Sequence, residues 1–242
     1  MTGSPAPRAS AFASLRPLAA DPRAPARAPG GPGPAGIPLD PLQRIGRRRE
    51  RPRPGERCEM CDEPVGAGHG HVADLENHRL LCTCRGCYLL FTGRGAGGLR
   101  YRAVPTQVRR VPGFELTPAG WDRLQVPVDL AFFFRQSGVG HVVGCYPGPG
   151  GATESTLELD TWAEVEAAHP ALAEVAVDVE AALVRRHEGA FECFVVPIDA
   201  CYELVGLVRS HWTGFAGGAE VWAQIEGFFD RLRERSATGP GG

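Results

Sequence analysis

The pattern of apolar and polar residues predicts two β-hairpins in the second half of the chain. The stretch "DLAFFFRQSGVGHVVGCYP" contains two apolar runs joined by Gln136 to Gly140, a short segment with two glycines. A joint of this kind between two apolar runs is typical of a hairpin. The stretch "VEAALVRRHEGAFECFVVP" repeats the arrangement, and we expect its turn at Glu188 and Gly189.

Apolar residues at helical spacing predict three helices between and after these hairpins. In "ATESTLELDTWAEVEAAHP" we expect a short strand and then a helix, with Asp160 as its N-cap and its end before Pro170. Two further helices are predicted in "IDACYELVGLVRSHW" and "AEVWAQIEGFFDRLRER". Their predicted buried faces are Cys201, Leu204, Val205 and Val208 in the first, and Val221, Trp222, Ile225, Phe228, Phe229 and Leu232 in the second. The predicted fold class is therefore α+β, with two C-terminal helices.

The composition changes along the chain and predicts four segments. Residues 1–54 are rich in Pro, Ala, Gly and Arg without apolar periodicity, so we expect a disordered tail. Residues 55–102 contain five of the eight cysteines, and we expect them to form a small zinc-ribbon-like module. The mixed α+β domain follows over residues 103–236, and residues 237–242 are predicted to be disordered.

Charge is distributed unevenly between the tail and the rest of the chain. All 26 basic residues are arginine, and the net charge is +7 over residues 1–57 and −9 over residues 58–242. An arginine-rich arm on an acidic body is suited to contact nucleic acid or an acidic protein. The alternative is a solvated tail without a binding role, which its composition favours.

No apolar run approaches the roughly 18–20 residues that a membrane helix needs. The N-terminal stretch shows no apolar core followed by a small-residue cleavage site, so we expect no secretory signal and no membrane insertion. The predicted location is the cytoplasm, where clustered cysteines more often bind metal than form disulfides.

Two cysteine pairs carry the clearest chemical signal in the sequence. Cys58 and Cys61 are separated by two residues, as are Cys84 and Cys87, and 22 residues lie between the pairs. This spacing is typical of zinc sites in which four thiolates complete a tetrahedron. Such a site is closed to water and substrate, so it predicts a staple for a small segment. Four thiolates also suit a single iron ion, but the knuckles typical of rubredoxins are missing, which favours zinc over iron.

The same segment contains a fifth cysteine and three histidines whose roles the sequence leaves open. If the chain is extended near residue 82, Cys82 and Cys84 point to the same side, so Cys82 either replaces Cys84, lies beside the metal, or simply fills the core. His69, His71 and His78 are further candidate ligands, with His71 the favoured one. "GAGHGH" is also compatible with an ordinary loop.

The order of Cys58, Cys61, His71 and Asn77 before "LLCTCRGC" also resembles zinc-bound HNH nucleases. The paired acidic-His-His element of those enzymes is missing, and Tyr88 stands where a histidine usually follows the last cysteine. No other stretch carries a catalytic signature. The remaining cysteines lie in apolar runs and are predicted to fill the core: Cys145, Cys193 and Cys201.

Several stretches together resemble a bacterial domain family of unknown function over about residues 56–235. They are "RCEMC…HVADLENHRLLCTCRGCYLLF…GGLRYR", "VPVDLAFFFR", "YPGPGGATES" and "GLVRSHWTGFAGGAEVW". Genes of that family are met beside those of high-affinity uptake [NiFe]-hydrogenases. The resemblance implies a protein partner, either a hydrogenase subunit or a maturation factor, and carries no catalytic residues. We therefore expect a non-enzymatic accessory protein. The alternatives are a rubredoxin-like electron carrier and a nucleic-acid-binding or HNH-like zinc protein.

Overall fold

The computed structural model describes residues 57–93, 98, 100–156, 159–214 and 217–237. The predicted disordered tail, residues 1–54, lies outside the described residues, as do residues 238–242. Residue 237 belongs to the last helix rather than to a disordered end.

The described residues form nine strands, five α-helices and one 3-10 helix. The strands are β1 (Gly70–Asp74), β2 (Arg79–Thr83), β3 (Tyr101–Ala103), β4 (Arg109–Arg110), β5 (Leu130–Gln136), β6 (His141–Gly148), β7 (Gly151–Glu154), β8 (Glu180–His187) and β9 (Ala190–Pro197). The helices are α1 (Arg85–Leu90), α2 (Pro118–Arg123), α3 (Leu159–Ala168), α4 (Ile198–His211) and α5 (Gly218–Ala237), with the 3-10 helix at Pro170–Glu174. The predicted α+β class is confirmed.

The strands form a small and a large sheet, and every pairing is antiparallel. The small sheet has the order β2-β1-β3, and the large one β4-β9-β8-β5-β6-β7. Both predicted hairpins are confirmed, since β5 pairs with β6 and β8 pairs with β9. The second turn lies where it is expected, because Glu188 and Gly189 both have positive φ (50° and 80°), which a two-residue hairpin turn of the primed type requires.

The large sheet is buried on both faces, and alternate residues of its central strands supply two separate cores. Phe132 of β5 packs with α4 and α5 on one face. Phe133, the next residue, stacks on Trp162 of α3 on the other face, where Trp121 of α2 is also buried. Because helices cover both faces of the sheet, the residues of these strands are apolar on both sides, and each strand is a continuous apolar run in the sequence.

Two details of the helix predictions are wrong. Helix α3 begins at Leu159, so Asp160 lies in its first turn and is not the N-cap. There its carboxylate still interacts favourably with the positive end of the helix. Trp222 on α5 is 50% exposed, whereas the other predicted core residues of this helix are buried. Trp222 follows Val221 directly, so it is rotated about 100° from Val221 and lies at the edge of the buried stripe.

The small sheet packs against the α4 and α5 side of the large one. Ala73 of β1 and Val104, just after β3, belong to the same core as Phe132. The Arg102 guanidinium donates a hydrogen bond of 2.7 Å to the carbonyl of Val177, which precedes β8. No helix within the described part of the chain is long and apolar enough to cross a membrane.

Candidate metal centre

Cys58 and Cys61 lie in a tight turn that backbone hydrogen bonds close. The N–H of Cys58 donates to the carbonyl of Glu63, and the N–H of Asp62 donates to the carbonyl of Cys58, both at 2.8 Å. Asp62 reverses the chain with a positive φ of 67°, a conformation that aspartate tolerates better than most residues. The turn holds the two cysteines on one short loop.

The second pair lies where β2 ends and α1 begins. Cys84 is the N-cap of α1, with extended backbone (φ −67°, ψ 164°), and its Sγ accepts a hydrogen bond of 3.5 Å from the N–H of Cys87. A sulfur in this position takes the place of the oxygen of a usual N-cap. The helix start therefore places the second pair of thiols together.

Glu59 attaches the first loop to the edge of the small sheet beside Cys82. The N–H of Glu59 donates to the carbonyl of Cys82 at 2.8 Å. In return, the N–H of Cys82 donates to the Glu59 carboxylate at 2.7 Å. These two hydrogen bonds fix the first loop against strand β2, although Glu59 and Cys82 are 23 residues apart.

As a result, the four cysteines of the two pairs form one cluster. The sulfurs of Cys58, Cys61, Cys84 and Cys87 all lie within 4.8 Å of one another. The Sγ atoms of Cys61 and Cys84 are 3.6 Å apart. Four sulfurs at about 2.3 Å from a tetrahedral metal ion are separated by about 3.8 Å, so this spacing fits an ion at the centre. It is far too long for a disulfide, whose sulfurs are about 2.05 Å apart.

The polar surroundings of the cluster shift the pKa values of Cys58 and Cys87 in opposite directions. Burial opposes ionisation of Cys58, but backbone N–H groups around its sulfur, foremost that of Cys84, lower its pKa to about 7. Burial and the neighbouring thiols raise the pKa of Cys87. A bound cation would stabilise a thiolate that lies beside three other sulfurs. Binding of all four sulfurs also requires the remaining thiols to lose their protons.

The structure separates the remaining candidates from this cluster. Cys82 lies with His69 and His71 in a second group whose ligand atoms are within 4.8 Å of one another. His78 lies elsewhere, 3.2 Å from the side-chain amide of Gln136 in the neighbouring hairpin. Cys84, rather than Cys82, therefore completes the four-cysteine cluster.

Asp199 is a site residue that the sequence did not indicate. Its carboxylate lies 2.7 Å from Nδ1 of His71, although the two residues are 128 positions apart. From the sequence, Asp199 is only an acidic residue in the first turn of a predicted helix, where such residues are common. Nothing local marks it as a partner of a histidine.

The chemistry of the cluster restricts what it can hold. Four thiols this close together suit Zn(II) or a single iron ion, and a metal ion that binds all four has no coordination position left for water or substrate. Besides Cys82, three further cysteines lie apart from the cluster. Cys145, Cys193 and Cys201 are buried, as predicted, and burial raises the pKa of Cys193 and Cys201.

A family profile described as "Family of unknown function (DUF5947)" matches residues 57–236. This match covers most of the chain, so the chain belongs to that family. No curated protein is matched by the chain, and no solved structure is matched either.

Proposed function

We propose that this family member is a non-enzymatic accessory protein whose zinc-ribbon-like module is stapled by one Zn²⁺ ion. The supporting observation is that the sulfurs of Cys58, Cys61, Cys84 and Cys87 lie within 4.8 Å of one another. Four protein ligands complete the shell of zinc and leave it chemically inert. The ion would therefore act on folding and not on a substrate.

The segment around the first cysteine pair buries little apolar surface. Between residues 57 and 69, all of which are described, Cys58 is the one buried apolar residue. A segment with so little apolar burial gains its stability from bound metal, because the free energy of binding is then also free energy of folding.

Metal content tests the staple. Full-length protein is expected to retain zinc through gel filtration, whereas Cys61→Ser should lose the zinc of the cluster and exchange the amide hydrogens of residues 57–69 faster. Cys145→Ala is the matched control, because this cysteine lies in the core of the large sheet. Equal zinc in Cys61→Ser and wild-type protein would contradict the proposal.

The proposed partner is a subunit or maturation factor of an uptake [NiFe]-hydrogenase. The reason is that genes of the family that this chain resembles are met beside those of such hydrogenases. Leu89 and Leu90 on α1 are 49% and 57% exposed and lie on the helix that carries Cys87. Exposed apolar side chains beside a rigid metal site suit the docking of another protein.

Co-purification from a hydrogenase-producing host tests this partner. Hydrogenase polypeptides are expected to elute with tagged wild-type protein and to be lost with Leu90→Arg. Val139→Arg is the matched control, since Val139 is 50% exposed in the turn of the first hairpin of the large sheet. Absence of these polypeptides from the wild-type eluate would rule the partner out.

A second candidate function, electron transfer by iron in the same cluster, is favoured by the exposure of Cys61. This sulfur ligand lies at the surface, and Cys84 and Cys87 are half-buried, so electrons would have a short path to a partner. A red protein with one iron per chain would support this function. A colourless protein with zinc in the cluster would exclude it.

A further inference from the structure

A second group of side chains that could hold a metal ion lies next to the four-cysteine cluster. His69 precedes β1, His71 lies within it, and Cys82 is directly opposite His71 on β2. Residues two apart along an extended chain point to the same face, and directly opposed residues on antiparallel strands do so too. The pairing of β1 with β2 therefore brings one ring nitrogen from each histidine and the Cys82 sulfur within 4.8 Å of one another.

The hydrogen bonds of both rings fix which nitrogen carries the proton. Nδ1 of His69 lies 2.7 Å from the carbonyl of Gly66, and Nδ1 of His71 lies 2.7 Å from the carboxylate of Asp199. A carbonyl and a carboxylate only accept hydrogen bonds, so each Nδ1 must donate. In the neutral ring the lone pair then belongs to Nε2. Histidine ligands of metals are oriented in this way, by a second hydrogen bond from the nitrogen that does not bind the ion.

Nε2 of His69 has no hydrogen-bond partner among the described residues, although the atom itself is buried. A buried lone pair without a partner is unfavourable, so its presence calls for an explanation. A metal ion bound to this nitrogen supplies one. The backbone of Cys82 is also held in place, through its two hydrogen bonds with Glu59.

We propose that His69, His71 and Cys82 form a second metal site, which binds one borderline transition-metal ion such as Zn²⁺ and leaves its fourth position open. Two imidazoles and one thiolate are a ligand set that zinc accepts, and three protein ligands leave one position for water or another small ligand. This site differs from the closed four-cysteine cluster in both ligands and chemistry. It does not rest on the proposed accessory function, since each site has its own ligands.

Asp199 connects this site to the helices over the large sheet. It lies in the first turn of α4, while both histidines belong to the small sheet and the loop before it. Binding of a metal ion to the second site should therefore also affect the contact between the small sheet and α4, which His71 and Asp199 form. We assign Asp199 as a positioning residue that holds the His71 ring.

The test is the zinc stoichiometry of the full-length protein equilibrated with a zinc buffer. Wild-type protein is expected to bind about two zinc ions per chain, one in each site. Cys82→Ser and His69→Gln should each bind about one, while His141→Gln, at an exposed position at the start of β6, should match wild type. A Cys82→Ser protein with the wild-type stoichiometry would overturn the proposal.

A second measurement separates a lost ligand from a misfolded module. Co²⁺ added to protein with zinc already in the four-cysteine cluster is expected to give a thiolate-to-cobalt charge-transfer band that Cys82→Ser removes. The imidazole nitrogen resonances of His69 and His71 in wild-type protein should shift when zinc fills the second site. Resonances that do not move, or a band that survives Cys82→Ser, would overturn the second site and leave the four-cysteine staple untouched.

Discussion

Nδ1 of His71 on β1 lies 2.7 Å from a carboxylate oxygen of Asp199 at the start of α4. Both side chains are 27% exposed, so this hydrogen bond between the small sheet and α4 is only partly screened by solvent. A hydrogen bond in such a setting contributes more than an ion pair on the open surface.

Removal of this carboxylate should therefore weaken the junction. We expect Asp199→Ala to lower the free energy of unfolding of the zinc-saturated protein by about 1 kcal/mol, as measured by urea denaturation. Glu203→Ala on the same helix is the control, because its pair with Arg231 is more than half exposed and should contribute less than about 0.5 kcal/mol. Equal losses for the two variants would show that the His71 bond adds nothing to stability.

Truncation of Phe229 should cost far more unfolding free energy than truncation of Trp222, another aromatic residue of α5. Phe229 is fully buried against Phe194 and Phe228, so Phe229→Ala should cost about 3–5 kcal/mol of unfolding free energy. Trp222 is half exposed, and Trp222→Ala should cost about 1 kcal/mol or less. Thermal unfolding followed by circular dichroism compares the two, and a larger loss for Trp222 would contradict the packing described for α5.

Glu226 should make stability depend on pH. Its hydrogen bond from Arg185, with a further one from Arg233, lowers its pKa from 4.5 to about 2. The pKa is lower in the folded state, so the contribution is fully present above about pH 4.5 and is lost as the pH falls towards 2. Glu226→Gln should therefore be less stable than wild type at pH 7, and the gap should narrow at about pH 3.5.

Urea unfolding in the presence of a chelator measures this gap without interference from metal loss. Glu220→Gln is the control, since Glu220 is exposed in the first turn of the same helix. A gap for Glu226→Gln that is as wide at about pH 3.5 as at pH 7 would contradict the assigned role of Arg185.

The sequence predicted those elements that carry a clear apolar signal. Strands β5, β6, β8 and β9 are apolar runs bounded by turn residues, and helix α4 has apolar residues at helical spacing, because all of them are buried in the two cores. Strand β4 consists of two exposed arginines, Arg109 and Arg110, and carries no apolar signal. Trp222 was misplaced because neighbouring apolar residues on a helix do not define where the edge of the buried face lies.

The candidate site was predictable in part for similar reasons. The spacing of the cysteines indicated two pairs, but an extended chain puts Cys82 and Cys84 on the same side, so the pattern could not choose between them. In the structure the two cysteines belong to different groups, because β2 ends at Thr83 and Cys84 is the N-cap of helix α1. The pairing of His71 with Asp199 depends on how the two sheets pack, which no local pattern encodes.

The four cysteines are proposed to bind one zinc ion, and X-ray absorption at the zinc edge identifies the ligands of that ion. Full-length Cys82→Ser protein is suited to this measurement, because the substitution removes the second proposed site and leaves Cys58, Cys61, Cys84 and Cys87 intact. We expect one zinc ion with a shell of four sulfurs at about 2.3 Å. A shell with nitrogen or oxygen ligands, or a protein that retains no zinc, would contradict it.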